Sequence, residues 1–206
     1  IGGEVLRLGL KNGYEIMTVG RRPTGMTSSE IVSSFDDLPQ LPPADIAICA
    51  LGTTIRQAGT QAAFRAIDEE AVSSFAKAAK AAGVDHFLVV TAVGTNPDAS
   101  VFYSRVKGQT EGQLMKMGFK RLDIIRPGLL LGDRKERRPI EVLLQHIAPA
   151  TDLLMHGKWR RYRSVQAADA AHCLLGLAAS NEPGVYIHHF DDIMKVLQSP
   201  LQDVTK

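Results

Sequence analysis

One short run constrains the fold more than any other part of this sequence. Phe87-Leu88-Val89-Val90 is apolar without a polar break, and loop chemistry bounds it: Gly83 before it, then Gly94, Asn96, Pro97, Asp98 and Ser100 after it. A half-exposed strand alternates apolar with polar. An unbroken run marks a strand covered on both faces, which is the habit of a parallel sheet between helices. Helical spacing resumes at Phe102, Val106 and Leu114. Strand, polar loop and helix together are the repeating unit of an α/β protein.

The same unit recurs along the chain. Ile1-Gly2-Gly3 leads into a helix over Glu4–Leu10, stopped by Asn12-Gly13. A strand is expected over Tyr14–Val19, with a polar turn at Gly20-Arg21-Arg22-Pro23. A glycine-led helix followed by a strand is the second half of a dinucleotide-binding βαβ unit. On that reading the first strand and the first glycines of the phosphate loop belong upstream of Ile1, and Gly2 is the loop's last glycine. A site that selects NAD places an acidic residue at the end of the next strand. Here Arg21 and Arg22 stand there, and guanidinium groups match phosphate oxygens. The expected cofactor is therefore NADP, with NAD as the other option. Two solvated arginines in a surface turn are the plain alternative.

Thr24–Pro43 is rich in Ser, Pro and Asp and reads as an irregular crossover with a short strand at Ile31–Phe35. Asp45–Leu51 is the next buried strand, ending in Gly52-Thr53-Thr54, where small residues let a ligand approach the backbone. Asp68 is expected to cap a helix whose apolar positions are Ala71, Val72, Phe75, Ala76, Ala79 and Ala82, stopped by Gly83. After the Phe87–Val90 strand and its helix, Leu122–Ile125 is a further strand with Arg126-Pro127-Gly128 at its carboxyl end. Arg134–Arg138 is a charged loop, read either as solvated or as a salt-bridged latch or anionic-substrate site beside the cofactor. Ile140–Ile147 and Val165–Ala179 read as helices and Val185–His188 as a last strand. The expected architecture is α/β, doubly wound, with a mostly parallel, Rossmann-like sheet. Residues 1–206 form one domain, with a small carboxyl-terminal substrate lobe from about residue 129.

Tyr103 and Lys107 open the helix after the central strand. Four residues apart on a helix, they share a face with Cβ atoms roughly 5–6 Å apart. A phenol of pKa about 10 is a poor proton relay near neutrality. An ammonium about 5 Å away, at an effective dielectric of about 20, favours the phenolate by roughly 3 kcal/mol, or about 2 pKa units. Such a pair makes an acid/base for neutral pH. Thr91, at the strand end, offers a hydroxyl to the same substrate oxygen, with Ser100 and Thr95 as fallback candidates. The spacing alone is weak, since a surface Tyr–Lys pair has it too; its place after a buried parallel strand is what raises it.

Composition narrows the partners. A net charge of +2 gives no electrostatic case for nucleic acid or membrane surfaces. Lys158-Trp159-Arg160-Arg161-Tyr162-Arg163 mixes basic and aromatic residues, but one cluster in a near-neutral chain is a poor nucleic-acid footprint. It is expected to wall a substrate cleft or to meet another subunit. Cys49 and Cys173 lie in Ala/Ile/Leu surroundings and read as core residues, not as a disulfide. That suits a reducing compartment, and a cytoplasmic location is expected. The six histidines show no metal-ligand spacing, and no metal is expected.

Three blocks carry a resemblance: Cys49-Ala50-Leu51-Gly52-Thr53-Thr54, Phe102-Tyr103-Ser104-Arg105-Val106-Lys107-Gly108, and Arg126-Pro127-Gly128-Leu129-Leu130-Leu131-Gly132-Asp133-Arg134. With them the chain resembles the atypical short-chain dehydrogenase/reductase superfamily, in the branch of the Tat-interacting, oxidoreductase-like proteins. The resemblance implies Tyr103 as general acid/base, Lys107 as the residue that lowers its pKa and binds the nicotinamide ribose, and Thr91 in the place of the superfamily's serine. It implies that Ala50, Leu51 and Gly52 line the cofactor and that Pro127 and Gly128 sit near the nicotinamide. The implied activity is hydride transfer between NADP and a small carbonyl or alcohol. A cofactor-binding sensor without turnover is the rival, and an epimerase- or dehydratase-type enzyme that recycles its cofactor is a third reading. The expected partner is a small-molecule substrate, with a homodimer among the open arrangements.

Overall fold

The computed structural model describes residues 1–132, 152 and 155–201. The expected charged loop Arg134–Arg138 and the expected helix Ile140–Ile147 lie outside the described residues.

The main sheet has four parallel strands: β3 (Ile46–Cys49), β4 (His86–Val90), β5 (Arg121–Ile125) and β8 (Gly184–His188), in the order β3-β4-β5-β8. All five residues of β4 and all five of β5 are buried, as a strand sandwiched between helix layers requires. In register, Leu88 lies beside Asp123, and Asp123 beside Tyr186. Two shorter parallel pairs flank it: β1 (Thr18–Gly20) with β2 (Glu30–Val32), and β6 (Leu130–Leu131) with β7 (Val165–Gln166).

One helix layer is α1 (Gly2–Lys11), α6 (Ala167–Ala178) and α7 (Phe190–Val196). α1 buries Val5, Leu6 and Gly9 and leaves Glu4, Arg7 and Lys11 toward solvent, so its amphipathic face packs on α6. α6 is nearly all apolar and buries Ala170, Ala171, Cys173, Leu174, Leu175, Leu177 and Ala178. At roughly 1.5–3 kcal/mol for each large side chain removed from water, it is a main anchor of this layer. The other layer runs α2 (Ile55–Ala58), α3 (Gln61–Arg65), a π-helical turn (Ala66–Ala71), α4 (Val72–Ala81) and α5 (Phe102–Met115). Phe64, Val72, Ala76, Ala79, Leu114, Phe87, Val89 and Ile124 are buried there. A 3-10 turn (Gly157–Tyr162) leads into β7.

β1 and β3 face one another across a slot of about 640 Å³, and they do not pair with each other. Val5, Leu6 and Leu175 line one wall, Phe75, Ala79 and Val84 the other. In a doubly wound sheet of order 3-2-1-4-5-6, this is the place of the opening strand. The α/β, doubly wound expectation therefore stands.

Several boundaries differ from expectation for physical reasons. Tyr14–Met17 is not strand, because β2 offers only three residues to pair and the other edge of β1 faces the slot. The expected strand at Ile31–Phe35 is Glu30–Val32. Asp68 does not cap a helix: Thr54 and Thr60 cap α2 and α3 upstream, so the helix is already running when it reaches Asp68. Val165 and Gln166 are strand before α6 begins. The last strand, expected at Val185–His188, is Gly184–His188 and is the fourth strand of the main sheet.

Candidate active site

The carboxyl ends of β3, β4 and β5 bring three loops together. After Cys49, the chain runs through Ala50, Leu51 and an exposed Gly52 before Thr54 caps α2. After Val90, Thr91 begins the loop to α5. After Ile125 come Arg126, Pro127 and Gly128. Val93 N donates to Pro127 O at 2.9 Å, so the second and third loops are tied by their backbones. A Cβ on Gly128 would lie 2.3 Å from Arg163 O and 2.4 Å from Tyr162 O. Only glycine lets the 3-10 turn carrying Trp159 and Arg161 close down at this point.

Tyr103 and Lys107 sit on the first two turns of α5. The Tyr103 ring is half-buried, tilted against Phe64 with ring centroids 5.4 Å apart. Lys107 is 5% exposed, and its Nζ lies 2.8 Å from Asp68 Oδ1. A Cβ on Gly52 would stand 3.6 Å from that Nζ and 3.3 Å from Asp68 Oδ1, so the pair lies directly under the β3 exit loop. The expected depression of the phenol is not found. Burial pushes Tyr103 above its ordinary pKa; Lys107 lowers it and Asp68 raises it again. The sequence reading left out the burial of the ring, which is the largest effect, and the carboxylate that opposes the ammonium.

Thr91 is buried and donates its hydroxyl to Glu111 Oε1 at 2.5 Å. Glu111, 2% exposed, is also held by Arg126, whose Nε donates to Oε1 at 3.0 Å and whose Nη2 reaches Oε2. The fallback hydroxyls stand elsewhere: Thr95 Oγ1 donates to Ala92 O at 2.6 Å, and Ser100 is exposed.

The cofactor candidates occupy the same end of the sheet. Gly2 begins α1, and a Cβ on it would lie 3.6 Å from Ala50 Cβ. Arg21 and Arg22 are exposed just past β1. Small residues at Ala50 and Gly52, a glycine-led helix start beside them, and free guanidinium groups at the neighbouring strand end fit a dinucleotide. Among the described residues no group of three or more His, Cys, Asp or Glu could hold a metal ion.

Two site residues escaped the sequence reading, Asp68 and Glu111. Glu111 left a signal: Tyr103, Lys107 and Glu111 follow one another at four-residue steps and share one helix face. Asp68 left none, because its partner lies far away in the chain.

A doubly wound sheet with these loops at its carboxyl edge defines the NAD(P)-binding Rossmann class. No family model matches the chain. Curated relatives do: rat Protein HTATIP2 is 40% identical over 135 residues, 64% of this chain and 55% of that protein. Protein FMP52, mitochondrial, of Candida albicans is 32% identical over 178 residues, 83% of this chain and 74% of that protein. The chain spans between 55% and 66% of the length of the first three such relatives. Among solved structures, MoeE5 in complex with UDP-glucose and NAD superposes with a TM-score of 0.68 at 16% identity, covering 98% of this chain and 79% of that one. The human epimerase family protein SDR39U1 with NADPH gives 0.62 at 19% identity, covering 91% and 70%. These structures share the fold. The chain belongs to the HTATIP2 and FMP52 branch of the atypical short-chain dehydrogenase/reductase superfamily. The cytoplasmic expectation is corrected by the same comparison, since the fungal relatives are named mitochondrial.

Proposed function

We propose that this chain is the nucleotide-binding part of an NADP-dependent oxidoreductase that acts on a small carbonyl or alcohol compound. The observation that carries the reading is the position of Lys107: a buried ammonium, one helical turn after Tyr103, lying beneath the exposed Gly52 at the end of β3. The NAD and NADPH in the superposed neighbours support the cofactor class.

A bound nicotinamide supplies or takes the hydride. The chain's own residues do the rest. Tyr103 gives its phenolic proton to the substrate oxygen, or takes one from it, and Lys107 supplies positive charge to the phenolate side of that exchange. Thr91 donates to the substrate oxygen once its hydroxyl turns away from Glu111, which takes that proton in the substrate-free chain. Ala50, Leu51 and Gly52 offer small side chains and bare backbone to the dinucleotide, with Gly2 at the start of α1 beside them. Arg21 and Arg22 take the 2′-phosphate, and Pro127 and Gly128 border the nicotinamide. The names of the fungal relatives support a mitochondrial setting.

One observation favours the second reading, a cofactor sensor without turnover. The phenol stands above its ordinary pKa, and the ammonium meant to lower it is paired with Asp68. Fluorescence titration with NADPH and NADH, beside cofactor oxidation against a carbonyl panel, separates the two. The enzyme reading expects NADPH to bind more tightly and Tyr103→Phe to abolish turnover with cofactor affinity near wild type. Turnover unchanged in Tyr103→Phe rejects the mechanism, and binding without turnover on any carbonyl selects the sensor.

A further inference from the structure

Asp68 is a buried carboxylate in an unusual place. It is fully enclosed and lies in the middle of the π-helical turn Ala66–Ala71. Single π turns inside helices are rare and gather at functional sites. Here the turn lies between α3 and α4, and the carboxylate reaches two other elements. Oδ2 accepts the backbone N–H of Thr53 at 2.8 Å, fixing the β3 exit loop. Oδ1 lies 2.8 Å from Lys107 Nζ, in an ion-pair contact without aligned hydrogen-bond geometry. The Asp68 carbonyl accepts Thr110 Oγ1 at 3.0 Å, one turn further along α5. One residue thus ties the cofactor-facing loop and the Tyr103 helix to a single point.

Lys107 is 5% exposed, and a charge removed from water is costly without a partner. Asp68 is that partner. The second effect falls on Tyr103: among the described residues, the charges that act on the phenol are Lys107 from its own helix and Asp68 from the π turn, with opposite signs, while α3 presents the Phe64 ring. We propose that Asp68 is the positioning residue of the site, holding Lys107 under the Gly52–Thr53 loop and setting how much of its field reaches Tyr103. The proposal rests on the oxidoreductase reading only for the use made of the phenol. The coupling itself is a property of the folded chain.

The test is a tyrosinate absorbance titration of the full chain, with Tyr103→Phe subtracted to isolate the Tyr103 step from those of Tyr14, Tyr162 and Tyr186. Asp68→Asn leaves the ammonium unopposed and is expected to raise the Tyr103 ionisation constant about tenfold. Asp68→Glu keeps the charge and is expected to stay at the wild-type midpoint. The double variant Asp68→Asn/Lys107→Met removes both charges, so its midpoint returns toward wild type; if the single variant fails to fold, the double variant is read against Lys107→Met alone, whose midpoint is expected to be higher, and equal midpoints overturn the proposal. An unmoved midpoint in folded Asp68→Asn overturns the proposal, as does a double variant whose midpoint stays as low as the single variant's. No turnover enters these readings, so failure of the enzymatic reading through Tyr103→Phe would leave this coupling untouched.

Discussion

Thr91 donates its hydroxyl proton to Glu111, and Arg126 grips both oxygens of the same carboxylate. The three residues come from the ends of β4 and β5 and from the middle of α5, so the contact ties the loops of the site to the helix that carries Tyr103. Thr91→Val keeps the shape but takes one donor away from a carboxylate that is 2% exposed. Arg126 still holds both oxygens, so the expected loss is that of one hydrogen bond to a charged group, about 1.5–3 kcal/mol. Thr91→Ser restores the donor and most of the stability. Urea unfolding at constant slope reads the difference; a Thr91→Val chain as stable as wild type would show that this contact is incidental.

A second buried carboxylate governs acid stability. Asp123, 0% exposed in β5, accepts from Arg121 Nε at 2.5 Å and Nη2 at 3.0 Å, and lies 2.7 Å from His86 Nε2 and 2.6 Å from His188 Nε2. Arg121 stacks in turn over Tyr186 at 4.3 Å. Burial alone would raise the Asp123 pKa; the hydrogen bonds from His188, His86 and Arg121 together outweigh it and hold the carboxyl well below the usual carboxylate range. A depressed folded pKa means the stabilisation is complete above the unfolded value of about 3.9 and is lost as pH falls from there toward the folded value. Asp123→Asn is therefore expected to be destabilised by about 3–5 kcal/mol at pH 7. The gap from wild type should narrow as pH drops below 4. Urea midpoints between pH 7 and pH 3 decide it; a gap constant with pH would rule the linkage out.

How much of this was legible in the sequence depends on the reach of each signal. β4 and β5 announced themselves because a strand covered on both faces has no polar residue to hide. His86, Arg121 and Asp123 are the exceptions, made tolerable by one another and by His188 on the next strand, which no local pattern reveals. α7 was missed although Asp191 and Asp192 stand in its first turn, because seven residues are too few to establish an apolar period. The pair β6–β7, two residues a strand, has no period at all. Within the site, helical spacing placed Tyr103 and Lys107 on one face. It gave no hint that the ring would be buried or that Asp68 would oppose the lysine's charge. The slot between β1 and β3 left no local signal either.

The two thiols report on the integrity of that slot and of the helix layer. Cys49 is 1% exposed in β3, on the wall of the slot, and burial pushes its pKa up to about 11. Cys173, 0% exposed on α6, is pushed up to about 12, by burial first and then by the charges of Asp123 and Asp192. The thiolate is the reacting species, so at pH 8 only about one Cys49 in a thousand is ionised. Native chain is expected to resist a disulfide-exchange reagent over hours and to release two thiol equivalents promptly in denaturant. Prompt native reaction of Cys49→Ser, which leaves only Cys173, would mean that α6 does not stay seated; prompt reaction of Cys173→Ser would mean that the slot opens to solvent.

Two glycines of α5 give a matched pair for the docking of that helix. A Cβ on Gly108 would lie 2.2 Å from Pro97 N and 2.3 Å from Asn96 C, both backbone atoms of the β4–α5 loop. Neither can turn aside as a side-chain tip would, so Gly108→Ala must separate the helix from the loop that follows Thr91. The expected cost is about 1–3 kcal/mol, in the range of overpacked cores. Because Gly108 directly follows Lys107, the Lys107–Asp68 contact should loosen as well. Gly112 is one turn further along the same helix, and a Cβ there meets nothing within 4 Å. Gly112→Ala is expected to be neutral or to stabilise by about 0.4–1 kcal/mol, through the lost freedom of the unfolded chain and the better helix former. Thermal unfolding of the two variants should therefore move in opposite directions or differ by several degrees. Equal melting temperatures would mean that the loop is not pinned against α5, and that the close approach of Asn96 and Pro97 does not hold Tyr103 in place.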